Sequence, residues 1–304
     1  MIFLTKKYQV YKLFFIGILL INLLNDFHLS KFLLIEKNKI FTFWEPKDKI
    51  PGYLKLCIKS WKKALPSYEI IILNYIISKK LLGNELFYKI ICTNMSFALQ
   101  ADAIRIAILK KYGGIWLDAD TIIINGEFIQ EYKDYELVMF GEEKKKIQYI
   151  AFIYASKKSS LLSQWLNQII INVKTYKSIL KNKTNTVYWK NSFKKVKSNF
   201  FLGYSIIDNL LKNISGKKYK RIDSKSMNIF PERTLFNKNL SNYELLYKEF
   251  YFNQGEFQIL LENKVSLILL HNSWTPSEYK KMSKEEFLKQ DILLSKLLSK
   301  LLNK

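Results

Sequence analysis

The chain has few of the residues that build disulfide frameworks, cysteine-histidine metal sites or nucleic-acid-reading surfaces. Its 304 residues include only two cysteines, two histidines, five prolines and ten glycines. Cys57 and Cys92 have neither metal-ligand spacing nor a disulfide pattern, which favours buried free thiols in a reducing compartment. Only Arg105, Arg221 and Arg233 of the 49 basic residues are arginines, although arginine usually reads bases and phosphates. We therefore expect no nucleic-acid partner.

The chain also has no long apolar run. Residues 13–24 are apolar except for Asn22, but these 12 residues fall short of the roughly 18 to 20 needed to span a bilayer. A cleavage site of small residues is missing as well, which argues against a signal peptide. We predict that residues 1–37 form an apolar and basic helical segment that either lies on a membrane surface or packs against the protein. A short signal-anchor is the alternative.

The composition is otherwise that of a folded, strongly basic protein. Apolar residues make up 49% of the chain and aromatic residues 15%, and the formal net charge is +23. This length and composition favour one α/β domain with helical additions. The excess of lysine suits diffuse attraction to an anionic membrane surface, a charged glycan or a nucleotide. A merely solvated lysine-rich surface explains the charge equally well.

Two carboxylates stand in the most informative segment, residues 94–126. Residues 98–111 predict a helix with Asp102 and Arg105 on one face, and the following double glycine ends it. Residues 115–124 then predict a strand on which Asp118 and Asp120 project from the same side. Two carboxylates on an apolar strand need a positive partner, and a divalent cation is the simplest one.

These motifs together resemble a known family. The pattern Ala-Asp-x-x-Arg, seven residues, Gly-Gly-x-x-x-Asp-x-Asp begins at Ala101 and ends at Asp120. It is similar to glycosyltransferase family 32 and its relatives in bacterial capsular polysaccharide synthesis. The resemblance implies a GT-A-like, Rossmann-type α/β fold with a mixed, mostly parallel sheet, helices on both faces, and helical additions at both termini.

The rest of the chain agrees with such a fold. A strand at residues 38–44, a helix at 52–65 and a strand at 68–74 indicate the start of a mostly parallel sheet. We assign residues 38–276 to the catalytic domain, with a late buried strand at residues 265–270. Residues 277–304 predict an amphipathic helix opened by a capping box at Ser283 and Glu286. Its leucine stripe would pack on the domain or on a membrane surface.

The resemblance implies a metal site at the acidic pair. Asp120 would bind Mn²⁺ or Mg²⁺ directly, and Asp118 would contact the metal or the donor ribose. His271 would complete the metal shell, while Ser273 and Trp274 would close over the diphosphate. A purely structural role for His271 is an equal alternative.

The resemblance also implies the contacts with the rest of the donor. Asp102 and Arg105 match residues that contact sugar hydroxyls in relatives, although a plain ion pair is the alternative. Trp44, after the first core strand, matches an aromatic residue that stacks on the nucleotide base.

The function predicted from these features is sugar transfer. A retaining, metal-dependent glycosyltransferase would move a sugar from a nucleotide-sugar donor to a glycan or glycolipid acceptor of capsule or lipopolysaccharide type. It would work as a peripheral protein on the cytoplasmic face of the cell membrane. The alternative is a non-catalytic carbohydrate- or membrane-binding protein on the same fold. The sequence does not specify the donor base, the sugar, the acceptor or a catalytic nucleophile.

Overall fold

The computed structural model describes residues 38–132, 134–142, 147–181, 202–212, 218–223, 243–253 and 266–303. The predicted N-terminal segment, residues 1–37, lies outside this part of the chain. The strands are β1 Lys39–Phe43, β2 Glu69–Leu73, β3 Gly114–Leu117, β4 Thr121–Ile123, β5 Leu137–Glu142, β6 Ile147–Ala155, β7 Tyr219–Asp223 and β8 Leu267–Leu269. The α-helices are α1 Gly52–Ala64, α2 Tyr75–Leu82, α3 Asn84–Ile90, α4 Phe97–Tyr112, α5 Ser160–Lys181, α6 Tyr204–Leu211, α7 Tyr243–Phe252, α8 Ser277–Lys281, α9 Lys284–Leu288 and α10 Leu293–Asn303.

Six of these strands form one mixed sheet. Its order is β2-β1-β3-β6-β5-β7, and β4 and β8 form a separate antiparallel pair. The pairings β1/β2, β1/β3 and β5/β7 are parallel, whereas β3/β6 and β5/β6 are antiparallel. This arrangement confirms the predicted α/β class with a mixed, mostly parallel sheet.

Helices cover both faces of the large sheet, as the alternation of side chains along a strand requires. Ile40 of β1 packs in one apolar cluster with Trp61 of α1. The next residue, Phe41, points to the other face, where its ring lies 6.1 Å from the ring of Tyr112 in α4. Because both faces are covered, the core residues of the central strands β1 and β3 are almost fully buried, including Ile40, Phe41, Thr42, Ile115 and Trp116.

The double glycine between α4 and β3 is needed for both conformation and space. Gly113 and Gly114 have φ values of +66° and +99°, which residues with a side chain rarely adopt. A Cβ on Gly114 would lie 2.6 Å from the carbonyl oxygen of Lys39, and one on Gly113 would lie 2.8 Å from the nitrogen of Lys157. The glycines therefore let α4 turn directly into a strand that pairs with β1.

Several predicted helices have different bounds in the structure. The sequence predicts one helix at residues 78–89, but the structure has two helices there, because Gly83 has a φ of 85° and ends α2. The sequence predicts a helix at residues 159–174 and a surface segment without regular structure at 174–198, but the helix α5 continues to Lys181. The Ser283–Glu286 capping box is present, but it opens only the five-residue α9.

The C-terminal leucine stripe belongs to a separate helix. Leu293, Leu294, Leu297 and Leu298 of α10 are buried in the apolar cluster that includes residues of α1 and α7. Within the described ranges, no helix has both the length and the apolarity that crossing a membrane requires.

Candidate functional site

Predicted site residues follow two neighbouring strands at one edge of the large sheet. Trp44 comes directly after β1, and Asp118 comes directly after β3. These strands are parallel neighbours, so their carboxyl ends meet at the same edge. Ligands of open α/β sheets bind outside the carboxyl ends of the strands. The candidate site therefore lies at this edge.

The prediction of one strand at residues 115–124 is wrong, because the chain leaves the large sheet after Leu117 and then forms the separate strand β4. Residues 118–120 form a turn, in which the N–H of Thr121 donates to the carbonyl of Asp118 at 3.0 Å. The indole nitrogen of Trp61 donates to the carbonyl of Thr121 at 2.7 Å and fixes the start of β4. Asp118 and Asp120 are thus brought close by a turn between two sheets, and strand alternation does not set their direction.

Arg105 connects two of the predicted carboxylates. Its Nη2 lies 2.7 Å from Oδ1 of Asp118 and 3.3 Å from Oδ1 of Asp102. Its Nη1 donates to the carbonyl of Ile150 at 2.5 Å. The Arg105 side chain is only 5% exposed, whereas that of Asp118 is 33% exposed. Arg105 is therefore a buried anchor for Asp118, and Asp118 is the member of this network that a ligand can reach.

Trp116, which the motif pattern does not include, also contacts Asp118. Its indole nitrogen donates to Oδ1 of Asp118 at 2.8 Å, and its ring lies 5.0 Å from the guanidinium carbon of Arg105. Both donors therefore bind the same oxygen of Asp118. The spacing of two residues from Asp118 was the available signal, since it predicts that both side chains lie on one face of the strand.

Asp102 lies deeper than Asp118, in the wall of the same network. Burial, and to a smaller extent the charge of Asp118, raises its pKa to about 7, while Arg105 acts in the opposite direction. Gly203 lies against it, because a Cβ on this glycine would be 2.9 Å from Oδ2 of Asp102 and 2.6 Å from Cδ1 of Ile150. No local pattern predicts the role of Gly203, since its contact with Asp102 joins segments that are about a hundred residues apart.

Asp120 holds the loop that follows β8. Its Oδ2 accepts a hydrogen bond from the N–H of Asn272 at 2.9 Å, and its carbonyl accepts one from the N–H of Leu270 at 3.0 Å. Burial and then the charge of Asp118 raise the pKa of Asp120 to about 7, which the N–H of Asn272 partly offsets. A positive ligand between Asp118 and Asp120 would relieve this repulsion.

The loop carries the other three predicted residues, which follow one another closely. The rings of His271 and Trp274 are 4.1 Å apart between centroids, and Ser273 is exposed. Burial lowers the pKa of His271 to about 4, so the imidazole is neutral near pH 7. A neutral imidazole is the form that binds metals. The structure thus brings the loop onto Asp120 through Asn272, which the sequence analysis did not select.

Trp44 is half-buried at the margin of the site. Its N–H donates to the carbonyl of Leu73 at 3.0 Å, which continues the pairing of β1 with β2 beyond the strand. Its side chain packs on the same apolar cluster that supports Trp274. Both tryptophans therefore pack on one apolar cluster. The stacking of Trp44 on a nucleotide base stays a prediction.

Comparison with known proteins places the chain in a family. The family model described as "Capsular polysaccharide synthesis protein" matches residues 11–245. The chain belongs to this capsular polysaccharide synthesis family. The match confirms the resemblance to capsule-synthesis glycosyltransferases that the Asp-x-Asp pattern predicted. No curated protein sequence matches the chain significantly.

Three solved structures are similar to this member of the capsule-synthesis family. PaToxG glycosyltransferase has 16% identity and a TM-score of 0.39, and the match covers 58% of this chain and 68% of that one. The glycosyltransferase GlyE of Streptococcus pneumoniae TIGR4 has 12% identity and a TM-score of 0.43, with 88% of this chain and 61% of GlyE covered. A glycosyltransferase involved in the glycosylation of the major capsid of PBCV-1 has 12% identity and a TM-score of 0.37, and the match covers 86% of this chain and 98% of that one.

The part matched by the capsule-synthesis family includes Trp44, Asp102, Arg105 and both acidic turn residues, and it ends before His271. Across the described ranges, no group of three or more His, Cys, Asp or Glu side chains could hold a metal ion. The predicted set of Asp118, Asp120 and His271 therefore stays a prediction, and a cation at the acidic turn would need further ligands from outside these side chains.

Proposed function

We propose that this protein is a metal-dependent, retaining glycosyltransferase that moves a sugar from a nucleotide-sugar donor to a capsule-type glycan or glycolipid. The observation that carries the proposal is the acidic turn at residues 118–120. It lies at the carboxyl edge of the parallel strands, and two buried donors hold one of its carboxylates. Membership of the capsule-synthesis family supports the same role.

The acidic turn suits Mn²⁺ or Mg²⁺. The guanidinium of Arg105 is paired with Asp102 and Asp118, whereas burial and the charge of Asp118 raise the pKa of Asp120, so a cation between Asp118 and Asp120 would stabilise both carboxylates. Mg²⁺ is commonly bound by one or two carboxylates together with substrate phosphates and water, so it needs no closed cage of side chains. Asp118 and Asp120 would hold the ion, with phosphate oxygens of the donor and water as further ligands. The bound ion would neutralise the diphosphate leaving group.

The other predicted residues would orient the donor. Trp44 would stack on the base, Asp102 and Arg105 would line the sugar subsite, and Ser273 and Trp274 would close over the diphosphate. Arg105 acts mainly through Asp118, because its guanidinium is already bound to Asp118 and to a backbone carbonyl. Such positioning reduces the entropy that the reaction must lose.

Retention is compatible with transfer on one face of the sugar. The bond between the anomeric carbon and the diphosphate oxygen breaks, and an acceptor hydroxyl attacks from the side of the leaving group. The hydroxyl proton passes to the departing phosphate oxygen, so no protein nucleophile is required.

We also propose that the protein works at the cytoplasmic face of the cell membrane, as a peripheral protein. The support is the net charge of +23, which attracts anionic lipid headgroups. Co-sedimentation with vesicles of phosphatidylglycerol and phosphatidylcholine tests this proposal. Binding should increase with the anionic fraction and decrease with salt.

A thermal-shift screen with UDP-, GDP- and CMP-sugars tests the donor, each measured with Mn²⁺ and with EDTA. A ligand present at a hundred times its Kd stabilises the folded state by about 2.7 kcal/mol, which corresponds to a rise in Tm of about 5 °C. We expect such a rise with one donor class and with Mn²⁺ only. The double variant Asp118→Asn, Asp120→Asn should lose this rise and the hydrolysis of the donor.

The same screen separates the alternatives. A shift with glycans or with anionic vesicles, and none with any nucleotide sugar, would indicate a non-catalytic binding protein. Equal donor turnover by the wild type and the double variant would contradict the assignment of the acidic turn.

A further inference from the structure

We propose that Tyr53 and Asn272 are positioning residues that hold the loop at residues 271–275 against Asp120 and thereby set the affinity for metal and donor. This inference rests on the proposed function, because it assigns a role in that same site. Tyr53 lies in α1, and 219 positions separate it from Asn272. Neither residue belongs to the Asp-x-Asp pattern.

The loop is tied to the acidic turn mainly through Asn272. Its main-chain N–H donates to Oδ2 of Asp120 at 2.9 Å. The preceding Leu270 donates its N–H to the main-chain carbonyl of Asp120 at 3.0 Å. Asp120 is therefore bound at both its main chain and its side chain, and the direction of its carboxylate depends on the position of this loop.

Tyr53 binds the side chain of Asn272. Its buried hydroxyl donates to Oδ1 of Asn272 at 2.5 Å, and its ring lies 5.7 Å from the buried ring of Phe287. One residue, Asn272, thus binds Tyr53 through its side chain and Asp120 through its main chain. A rotation of Asn272 would disturb both bonds, so the Tyr53 bond restrains the carboxylate indirectly.

A second set of hydroxyl bonds closes the loop. The hydroxyl of Thr275 donates to the carbonyl of His271 at 3.2 Å. Since a hydroxyl has one proton to donate, the bond of 3.0 Å between Thr275 and Tyr247 must be donated by Tyr247. The oxygen of Tyr247 also accepts the N–H of His271 at 3.3 Å. Three groups therefore form a closed ring of hydrogen bonds at the start and end of the loop.

This polar network lies in an apolar environment, where its geometry is costly to change. Tyr53 and Tyr247 both belong to the apolar cluster formed with α10. Buried polar groups that lose their partners cost free energy, so a fully paired network favours one arrangement over others. The arrangement favoured here is the one in which the N–H of Asn272 binds the carboxylate of Asp120.

Tyr251 offers a matched control on the same cluster. It is fully buried, like Tyr53, but its hydroxyl has no hydrogen-bond partner in the described part of the chain. Tyr251→Phe and Tyr53→Phe therefore remove the same atom from similar surroundings. Only Tyr53→Phe removes a bond to the loop.

The experiment measures binding of UDP and of GDP with Mn²⁺ by calorimetry, using the nucleotide that stabilises the wild type more. We expect Tyr53→Phe to weaken this binding about tenfold, as the loss of one buried hydrogen bond predicts. The apparent affinity for Mn²⁺ in the presence of the nucleotide should fall by a similar factor. Tyr251→Phe should bind like the wild type. The Tm values separate this effect from a general loss of stability, which would lower Tm and leave the affinity of the folded protein unchanged.

Asn272→Ala tests the same bond from the loop, and it serves if Tyr53→Phe does not fold. The double variant should bind about as weakly as Tyr53→Phe, because both changes remove the Tyr53–Asn272 bond and only Tyr53→Phe also removes a contact of 3.5 Å with Thr275. Equal affinities for Tyr53→Phe, Asn272→Ala and Tyr251→Phe would overturn the inference and leave the proposed function standing. A wild type that binds neither nucleotide nor any nucleotide sugar would overturn the proposed function, and this inference with it.

Discussion

The indole nitrogen of Trp116 lies 2.8 Å from Oδ1 of Asp118, two residues further along the chain. The guanidinium of Arg105 reaches the same oxygen at 2.7 Å. One carboxylate oxygen therefore receives two buried donors, and the other oxygen of Asp118 is the one turned away from them. These two contacts fix the direction of the Asp118 carboxylate before any ligand binds.

Trp116→Phe tests that direction. Phenylalanine keeps an aromatic ring beside Arg105 and removes only the indole donor to Asp118. A hydrogen bond to a charged group contributes about 1.5 to 3 kcal/mol, so we expect donor binding with Mn²⁺ to weaken at least about tenfold. Titration calorimetry measures the change. An unaltered Kd would show that Arg105 alone fixes the direction of the Asp118 carboxylate.

Asp102→Asn should change how stability depends on pH. Burial raises the pKa of Asp102 to about 7 in the folded protein, compared with about 3.9 in an unfolded chain. The folded state therefore holds a proton that the unfolded state has lost between about pH 4 and pH 7. The stability that this proton contributes is complete below pH 4 and is lost as the pH rises through 7.

The measurement is Tm in EDTA from pH 5 to pH 8.5 for the wild type and for Asp102→Asn. The difference, wild type minus variant, should decrease as the pH rises, because asparagine does not titrate. The sign of this trend is the test, since the lost ion pair with Arg105 shifts the variant's Tm by an amount that varies less with pH. A difference that increases with pH would contradict the pKa direction given for Asp102.

Gly203→Ala should destabilise the protein by overpacking the wall behind Asp102. The new Cβ would lie 2.6 Å from Cδ1 of Ile150 and 2.9 Å from Oδ2 of Asp102. Overpacking of this kind costs about 1 to 3 kcal/mol, which urea unfolding can resolve. Ile150→Val removes Cδ1, so adding it to Gly203→Ala should recover part of the loss. If the double variant is less stable than the two single changes predict together, the contact with Ile150 is not the cause.

The predictable part of the site consists of residues with local signals. Asp102 and Arg105 are three positions apart on a helix, and their ion pair at 3.3 Å follows from that spacing. Trp44 follows a strand whose apolar pattern is plain. The acidic pair was also found, although its predicted strand is a turn, because the departure of β4 depends on α1. Trp61 and Ser60 bind β4 through hydrogen bonds across about 60 residues.

The missing part consists of residues whose role depends on distant partners. Tyr53 binds Asn272 across 219 positions, and Gly203 lies against Asp102 across about a hundred. Neither residue type is distinctive, because tyrosine and glycine are common in any α/β domain. Only the folded arrangement shows which tyrosine hydroxyl has a partner and which, like that of Tyr251, has none in the described residues.

The acidic turn joins two different sheets, and this has a mechanical consequence. Asp118 is fixed to the large sheet by the Asp118 N–H bond to Ala151 and by Arg105, whereas Asp120 is fixed to the strand pair β4/β8 by Leu270 and Asn272. The distance between the two carboxylates therefore varies with the relative position of the sheets. An ion bound by both carboxylates would link the two sheets. The amide hydrogens of the β4/β8 pair should therefore exchange more slowly when the ion is bound.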